Sequence, residues 1–351
     1  MAKIMIWLSG GVDSAVAAYL LQQQGHELIA WFMKNYADES NPNCQTREDR
    51  DMAIKVAQHL GITTFVIFDF RKAYDERIVQ FIYDGYARGV TPNPDVLCNS
   101  LIKFWLFLEQ ATALGCSHVA TGHYARVVAP TTDTKNYKLL KGVDTNKDQS
   151  YFLSGLTQSQ LAQSLFPLGE LTKPEVREIA VKIWLPNADR KDSQGICFIG
   201  KVGMEEFLKK KIPVKQGEIR DTTGKVLWMH EGMHNYTIGQ REGLGLNGWP
   251  RYVVNKDPVT NIVVVGHADA EELYHTSLST TARHRIGEAR SLPFTAQAKI
   301  RYRQADQEVT LSSEDGTHIV ATFSQPQRAI TSGQIIAIYD GDELIASGSI
   351  Q

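Results

Sequence analysis

Cysteine is scarce: four residues in 351, none in a C-x-x-C pair. That excludes a disulfide scaffold and weakens any zinc-ribbon reading. Long apolar runs are missing as well. The stretch at 4–8 breaks off far short of the ~20 residues that a membrane span requires. A single Lys precedes that stretch, which passes straight into Ser9-Gly10-Gly11. It has neither the long apolar region nor the small-residue cleavage site of a signal peptide, so a cytoplasmic protein without membrane attachment is expected. Net charge is almost absent, since 37 Lys and Arg against 39 Asp and Glu leave −2. Overall basicity therefore announces no nucleic-acid binder, although acidic and basic regions can cancel. No internal repeat or low-complexity tract is present. With 43% hydrophobic and 22% charged residues, the composition is that of an ordinary soluble globular protein, and disordered and fibrous classes are excluded. At about 150 residues per domain, two or three domains are expected.

The first 125 residues alternate strand-like and helix-like segments. Strands are expected at 4–8, 28–32, 65–68 and 119–120, the first a continuous apolar run suited to a strand buried on both faces. Helices are expected from about Ser14, over 47–60 (Met52, Val56 and Leu60 at four-residue intervals, Gly61 ending it) and over 101–114. Such alternation predicts a parallel sheet with right-handed crossovers. After Ala125 the pattern changes to a short strand at 137–141 and a helix at 173–183 with Pro174 in its first turn. Segments between 203 and 270 are short and glycine-rich. Beyond His275, strands at 296–302, 308–311, 319–323, 335–339 and 344–347 are separated by turn pairs such as Asp315-Gly316 and Asp340-Gly341, a pattern that predicts a small barrel or sandwich. The expected organisation is α/β: a parallel-sheet catalytic domain at 1–202, a small central domain at 203–274 and a β domain at 275–351.

Chemistry concentrates first in Ser9-Gly10-Gly11-Val12-Asp13-Ser14, between the first strand and its helix. Two glycines let a ligand approach the backbone, and a helix N-terminus offers unpaired N–H groups and the positive end of a dipole. Ser9 and Ser14 add hydroxyls suited to phosphate oxygens. There is no Gly-Lys-Ser/Thr, so this is not a Walker A loop. Asp13 would repel phosphate unless a metal ion mediates, which implies Mg²⁺. The plain alternative is a tight turn with a serine cap. Met33-Lys34-Asn35 and Thr121-Gly122-His123 follow the second and fourth strands, and in open α/β sheets ligands bind beyond the carboxyl ends of strands. Core packing is the alternative for Met33, and a hydrogen-bonded loop histidine the alternative for His123.

Among the cysteines, Cys116 lies beside an apolar strand and reads as core, and Cys44 sits in a polar loop without an obvious role. Cys98 ends the string 91–98 and is expected to open the next helix, where a thiol has a lowered pKa. Cys197 lies in the loop-like string 191–200. Taken singly, each is better explained by structure than by catalysis. A metal site of Cys98, Cys197 and His123 lacks ligand spacing.

SGGVDS at 9–14 resembles the PP-loop of ATP pyrophosphatases, which cleave ATP to AMP and pyrophosphate. Together with MKN at 33–35, TPNPDVLCN at 91–99, ATGHYAR at 120–126, KDQSYFL at 147–153, DSQGICFIG at 192–200 and YTIGQREGLG at 236–245, it resembles the bacterial tRNA-specific 2-thiouridylases of the MnmA type. RYR at 301–303 is similar to that family's C-terminal tRNA-contacting segment. The resemblance covers essentially the whole chain. Departures are small: Ala15 where a second Ser is frequent, Tyr36 where Trp is usual and Gln194 where Thr is common.

The resemblance implies 2-thiolation of the wobble uridine in tRNA anticodons, an N-terminal adenine nucleotide alpha-hydrolase-like domain and a C-terminal β-barrel. ATP would be held by Trp7, Leu8, Ser9, Gly10, Gly11, Val12, Asp13, Ser14, Met33 and Gly122, as substrate with Mg²⁺, with no permanently bound cofactor. Cys98 and Cys197 would be catalytic and form a transient disulfide, with Asp95 as general acid or base and Asn93, Pro94 and Asp95 around the target base. His123, Lys147, Asp148, Gln149, Arg301, Tyr302 and Gln334 would contact tRNA. A persulfide-donating sulfur carrier or cysteine desulfurase would supply sulfur, and a monomer is expected. Separately, Arg283, Arg285, Arg290, Lys299, Arg301 and Arg303 are opposed between those ends only by Glu288. They form a candidate phosphate-tracking surface, or an ordinary solvated barrel face. Two other readings stay open: an ATP-dependent synthetase of small metabolites, and a non-catalytic RNA-binding protein with a structural nucleotide.

Overall fold

The computed structural model describes residues 1–35, 46–191, 204–313 and 318–351. Its first sheet contains β1 (Lys3–Trp7), β2 (Glu27–Lys34), β3 (Thr64–Asp69) and β4 (His118–Ala120). A hairpin follows, β5 (Ala125–Val128) and β6 (Lys138–Lys141), and then a two-residue strand β7 (Ser164–Leu165). The first sheet is parallel throughout, in the order β3-β2-β1-β4-β7. Ile4, Met5 and Ile6 of the central β1 are fully buried because helices cover both faces. Period-two alternation sorts the side chains. Met5, Trp31 and Met33 point into one core with the helical segments 71–87 and 94–113, while Ile4, Ile6, Ala30 and Phe32 point into the other. The helices Val12–Gln23, Thr46–His59 and Lys173–Lys182 cover that second face.

The helical segment at 71–87 was not among the expected elements. Tyr74, Ile78 and Ile82 repeat at four-residue intervals and are buried, but Asp75-Glu76-Arg77 and Gly85 interrupt the apolar pattern. The chain takes it up with a π-helical stretch at Asp75–Val79. The expected helix at 101–114 starts earlier. Pro94–Leu97 opens it, a π-helical stretch Cys98–Leu106 continues it and Phe107–Ala113 ends it.

The central domain, in which no strands were expected, contains a four-stranded sheet. Its strands β8 (Gly217–Asp221), β9 (Val226–His230), β10 (Tyr252–Asp257) and β11 (Ile262–Gly266) lie in the order β10-β11-β8-β9. Ile219, Val253, Val263 and Val265 fill its small core.

The C-terminal domain settles as a barrel. Its strands are β12 (Tyr274–Arg285), β13 (Phe294–Lys299), β14 (Gln307–Ser312), β15 (Val320–Arg328), β16 (Ile335–Asp340) and β17 (Glu343–Ile350). They run in the order β12-β15-β14-β13-β16-β17, and β17 pairs back onto β12. The expectation omitted β12, whose serines, threonines, arginines and histidines carry little apolar signal. Closure protects the sheet edges. The free edge of β17 is divided: its second half pairs β12, and Glu343 and Leu344 pair Leu140 and Leu139 of the N-terminal hairpin.

That division joins the first and last domains. Asp148, 6% exposed, accepts the N–H groups of Gly142 and Ser150 (both 3.1 Å) and lies 3.6 Å from Lys299 Nζ of the barrel. Lys141 Nζ lies 2.7 Å from Asp306, and Lys141 and Lys299 both stand over the ring of Tyr339. Tyr339 is fully buried, with its hydroxyl 3.1 Å from Ser150 Oγ, and burial holds that hydroxyl far above the usual phenol pKa. Ser347 and Gln158 add side-chain bonds to Ser154 O and Ile286 O. Removing one partner of a buried ion pair leaves the other uncompensated, at a cost of about 3–5 kcal/mol. Lys299→Ala is therefore expected to lower the unfolding free energy by about 3 kcal/mol, read from denaturant titration of the full chain; a loss below about 0.5 kcal/mol, the range of an ordinary surface substitution, would show that the pair does not hold the domains.

Candidate active site

In the strand order β3-β2-β1-β4-β7 the chain leaves β1 toward β2 and returns on its other side at β4, so the topology switches between β1 and β4. Beyond the carboxyl ends of those two strands lie Ser9–Ser14 and Thr121–His123. Gly10 turns the chain with φ +79, a backbone conformation that favours glycine, and Gly11 caps the helix Val12–Gln23 in an extended conformation. Ser14 accepts the N–H of Ser9 (3.1 Å) and donates to Gly11 O (3.0 Å), while Ser9 Oγ accepts the N–H of Gly11 (3.3 Å). Ser14 is buried. The Ser14 hydroxyl donates within the loop and so helps to shape it. What the loop presents to an anion is the start of a helix and its dipole.

The approach of β4 to this loop is tight. A Cβ on Gly122 would lie 2.7 Å from the backbone of Asp13 and of Ser14. From outside, Asn187 Nδ2 and Arg190 Nη1 each donate to Gly10 O at 3.0 Å, and Arg190 also pairs with Asp49. Burial pushes the Asp49 carboxyl upward, against the pull of Arg190. Asp13 Oδ1 accepts the hydroxyl of Tyr124 at 2.8 Å and the ammonium of Lys173 at 2.6 Å. Tyr124, Lys173, Asn187 and Arg190 were not identified from sequence. Nothing in their local spacing points to the loop, because they reach it from up to 180 residues away.

Of the other residues expected at the nucleotide, Leu8 is buried and donates its N–H to Trp31 O (2.9 Å). Trp7 lies 6.1 Å from the Trp31 ring, with Lys103 Nζ 4.7 Å from the centroid of its own. Met33 is 2% exposed and packs in the core, so its side chain follows the plain alternative.

The cysteine-bearing segment meets the other two domains. Asn93 caps the helix start, its side chain accepting from Val96 N, and Pro94 takes the first helical position. Thr91 N donates to Ser332 O (3.0 Å), Gln334 Nε2 donates to Thr91 O (2.9 Å), Asn93 Nδ2 reaches Gln334 Oε1 (3.4 Å) and Thr91 Oγ1 meets Thr237 Oγ1 (3.4 Å). Thus Thr91, Pro92 and Asn93, just ahead of Pro94 and Asp95, meet Gln334 of the barrel. Cys98 does not open the helix as expected. It lies one turn in, is 1% exposed, and its N–H already bonds the carbonyls of Pro94 and Asp95. The dipole effect fades within the first turn. Cys116 is buried as core, and burial raises its thiol pKa. Cys197 and Cys44 lie outside the described residues, as does Asp315-Gly316.

Several residues expected at tRNA are placed inside. His123 is buried, with Nδ1 2.7 Å from Thr121 Oγ1 and its ring against Phe104 and Phe166; burial and the charge of Lys103 hold its pKa well below the imidazole value. Asp148 is the barrel contact described above. Gln149 grips Tyr124, accepting its N–H at 3.0 Å and donating its own N–H to Tyr124 O at 2.8 Å. Arg301 is half-buried and donates to Ala329 O (2.7 Å) and Ile238 O (3.4 Å), holding barrel to central domain. Lys147 and Tyr302 are half-buried, the latter 4.5 Å from the Phe152 ring.

The six cations read as one phosphate-tracking stretch also separate. Arg283, Arg285 and Arg290 line a small cleft with Phe294, at the start of β13, whereas Lys299 ends that strand. Six residues of strand span about 17–20 Å, so the two groups lie toward opposite ends of the barrel. Lys299 is engaged with Asp148 and Asp306, and Arg290 with Asp340. Among the described residues no cluster of three His, Cys, Asp or Glu could hold a metal ion, and no helix is long and apolar enough to cross a membrane.

Residues 2–201 match a family model described as the tRNA methyl transferase HUP domain, 205–267 one described as the tRNA methyl transferase PRC-barrel domain and 275–350 one described as the aminomethyltransferase beta-barrel domain. A tRNA-specific 2-thiouridylase MnmA of Lysinibacillus sphaericus (strain C3-41) is 46% identical over 356 residues, covering 99% of this chain and 94% of that protein. Proteins of the same name are 44% identical in Bacillus mycoides (strain KBAB4), over 353 residues with the same coverage, and in Enterococcus faecalis (strain ATCC 700802 / V583), over 357 residues covering 99% and 95%.

Two outcomes follow from this geometry. Gly122→Ala forces a methyl into the backbone of Asp13 and Ser14; the expected loss of nucleotide affinity is about tenfold or more, given about 1–3 kcal/mol for overpacking, and titration with ATP checks it. His123 stays neutral when folded, whereas an unfolded histidine takes up a proton below a pKa of about 6.5. The unfolded state therefore binds more protons there, and stability falls as pH drops from about 7 to about 5. His118, His230 and His234, all depressed by burial, add to the same trend. A His123→Gln chain should show a shallower pH dependence in denaturant titrations, and an unchanged slope would contradict the assignment.

Proposed function

Since the chain belongs to the family of tRNA-specific 2-thiouridylases, we propose that this tRNA sulfurtransferase exchanges the C2 oxygen of the anticodon wobble uridine for sulfur. The observation that carries the reading is the match to those relatives through all three domains. Two of the three family models are described as tRNA methyl transferase domains, but methyl transfer has no use for a polyphosphate loop at a switch point. Sulfur exchange does, because the C2 oxygen is a poor leaving group until it is activated.

In the proposed reaction the uracil O2 attacks the α-phosphorus of ATP. The bond from that phosphorus to the bridging oxygen breaks, and the electron pair departs on pyrophosphate. Ser9–Ser14 hold the phosphates, through backbone N–H groups and the helix dipole. Asp13 and the Ser9 hydroxyl are hard oxygen donors of the kind that suits Mg²⁺, whose role when bound would be to offset phosphate charge. A persulfide on Cys197 then attacks C2 through its terminal sulfur and AMP leaves. Cys98 attacks the Cys197 sulfur, which releases thiouridine and leaves a Cys98–Cys197 disulfide for a two-electron thiol reductant to reset. In the alternative order, Cys98 first frees hydrosulfide, which attacks C2 itself. Asp95 serves as general acid or base, with Asn93, Pro94 and Gln334 framing the base. Lys147 and Tyr302 contact tRNA directly, while His123, Asp148, Gln149 and Arg301 act by holding the surfaces that do. A sulfur carrier or cysteine desulfurase supplies the persulfide. The target base must leave its stack, which an anticodon loop allows at low cost.

Unmodified tRNA, ATP, Mg²⁺ and a persulfide donor should yield 2-thiouridine and pyrophosphate, read by mass spectrometry of digested tRNA. Cys98→Ser and Cys197→Ser should each abolish thiouridine, and the mass increment separates sulfur exchange from methylation. A folded wild-type chain that makes no thiouridine under these conditions would refute the proposal.

A further inference from the structure

Gly10 and Gly11 share one peptide bond, and with no Cβ on either side that peptide can turn over at little cost. The bond is trans, so its carbonyl and its N–H point in opposite directions. Whichever way the Gly10 carbonyl faces, the Gly11 N–H faces the other. Turned one way, the peptide offers an anion a donor; turned over, it offers the negative end of a carbonyl dipole. Bonds inside the loop do not settle the choice. They engage Gly11 O, through Ser14 Oγ at 3.0 Å and Ala15 N at 3.4 Å, and they reach Gly11 N only by the long contact with Ser9 Oγ at 3.3 Å.

The Gly10 carbonyl is held from outside the loop. Asn187 Nδ2 and Arg190 Nη1 each donate to it at 3.0 Å. A turn closed by Arg190 N to Asn187 O (3.0 Å) sets those two side chains side by side, and Arg177 Nη1 ties the same turn to the helix Lys173–Lys182 through Ala188 O (2.7 Å). Asp49, in the first turn of the helix Thr46–His59, pairs with the other guanidinium nitrogen, Nη2. The packing is close: a Cβ on Gly10 would lie 2.5 Å from Asp49 O and 2.9 Å from Arg190 Nη1. Asn187 is 2% exposed, and among the described residues its buried Oδ1 has no hydrogen-bond partner. An unpaired buried acceptor costs stability, and here it accompanies a donor aimed at one carbonyl.

We propose that Asn187 and Arg190 are positioning residues for the nucleotide: they draw the Gly10 carbonyl out of the loop and so keep the Gly11 N–H turned toward the phosphates of ATP. Asp49 keeps the guanidinium at that carbonyl. The proposal rests on the ATP-dependent reading above and goes beyond it, because it assigns the orientation of the loop to side chains that act through Gly10. As uracil O2 bonds to the α-phosphorus and the bond to the bridging oxygen breaks, the electron pair leaves on pyrophosphate. An N–H that already faces that charge stabilises it without reorganising. Two donors on one carbonyl are also redundant, since either can hold the peptide when the other is lost. The peptide is released to turn over when both are gone.

The test uses the full chain, with ATP as the probe. Calorimetric binding of ATP, together with KM for ATP and for tRNA, is measured for wild type, Asn187→Ala, Arg190→Ala and the double variant. Each single change should weaken ATP binding by about threefold or less, the size of one ordinary hydrogen bond, because the remaining donor still holds the carbonyl. The double variant should lose about thirtyfold or more, well beyond the product of the two single losses. KM for tRNA should stay within about twofold (under ~0.5 kcal/mol). Arg190→Lys in the Asn187→Ala chain, which keeps one cationic donor, should recover most of the double loss. If the double variant fails to fold, Asn187→Leu with Arg190→Met keeps the side-chain volumes, removes both donors and carries the same comparison. A folded double variant that binds ATP as wild type does overturns the proposal. So does a double loss no greater than the product of the single losses, or one that falls equally on tRNA, either of which would mark a merely structural pair. A wild-type chain that binds no ATP overturns the nucleotide reading and the proposal with it. One that shows the expected ATP losses yet makes no thiouridine overturns the sulfurtransferase reading and leaves the proposal standing.

Discussion

The hydrogen bond from Tyr124 to Asp13 is the joint on which the rest of the molecule turns. Its hydroxyl fixes the one carboxylate of the glycine loop, and its backbone is gripped on both sides by Gln149. On either side of Gln149, Asp148 and Ser150 reach Lys299 and Tyr339 of the barrel. The loop that would hold ATP and the domain that would hold RNA thus share a short rigid connection. Gly122, with no room for a Cβ, keeps it tight.

This arrangement recasts a set of residues assigned to RNA. A buried carboxylate such as Asp148 needs N–H donors and a cation, and it has Gly142, Ser150 and Lys299. A buried histidine stays neutral and finds a hydroxyl, as His123 does with Thr121. Arg301 directs its guanidinium to backbone carbonyls where two domains meet. Under the proposed function, each would bear on RNA recognition through the surface it supports. Breaking one of them should disturb domain placement and tRNA affinity together, so a loss of tRNA binding in such a variant does not by itself identify a contact.

Much of the N-terminal fold was legible in the sequence, for a clear reason. Strands buried on both faces, such as β1 and β2, must be apolar along their length, and an amphipathic helix such as Thr46–His59 repeats at its own period. The closely spaced barrel strands were legible through turn residues. Less legible were elements stabilised by partners instead of by their own pattern. These include β12, closed by pairing to β15 and β17, the central sheet, whose strands are short and half-exposed, and the helical segment at 71–87 with its charged interruption. The motif strings located the candidate site, but Lys173, Tyr124, Asn187 and Arg190 could not be found that way, because a side chain arriving from far along the chain leaves no mark in local spacing.

By itself the sequence determined the kind of sheet, the place of the glycine loop at a strand's carboxyl end and the family, since each depends on local period or on contiguous residues. Only the tertiary structure decided which charges are available. Six cations that look like one basic stretch separate toward the two ends of a barrel, and a carboxylate that looks hostile to phosphate proves to be paired with a lysine. Charge acts through distance in space, and distance in space is set by packing between segments far apart in the chain.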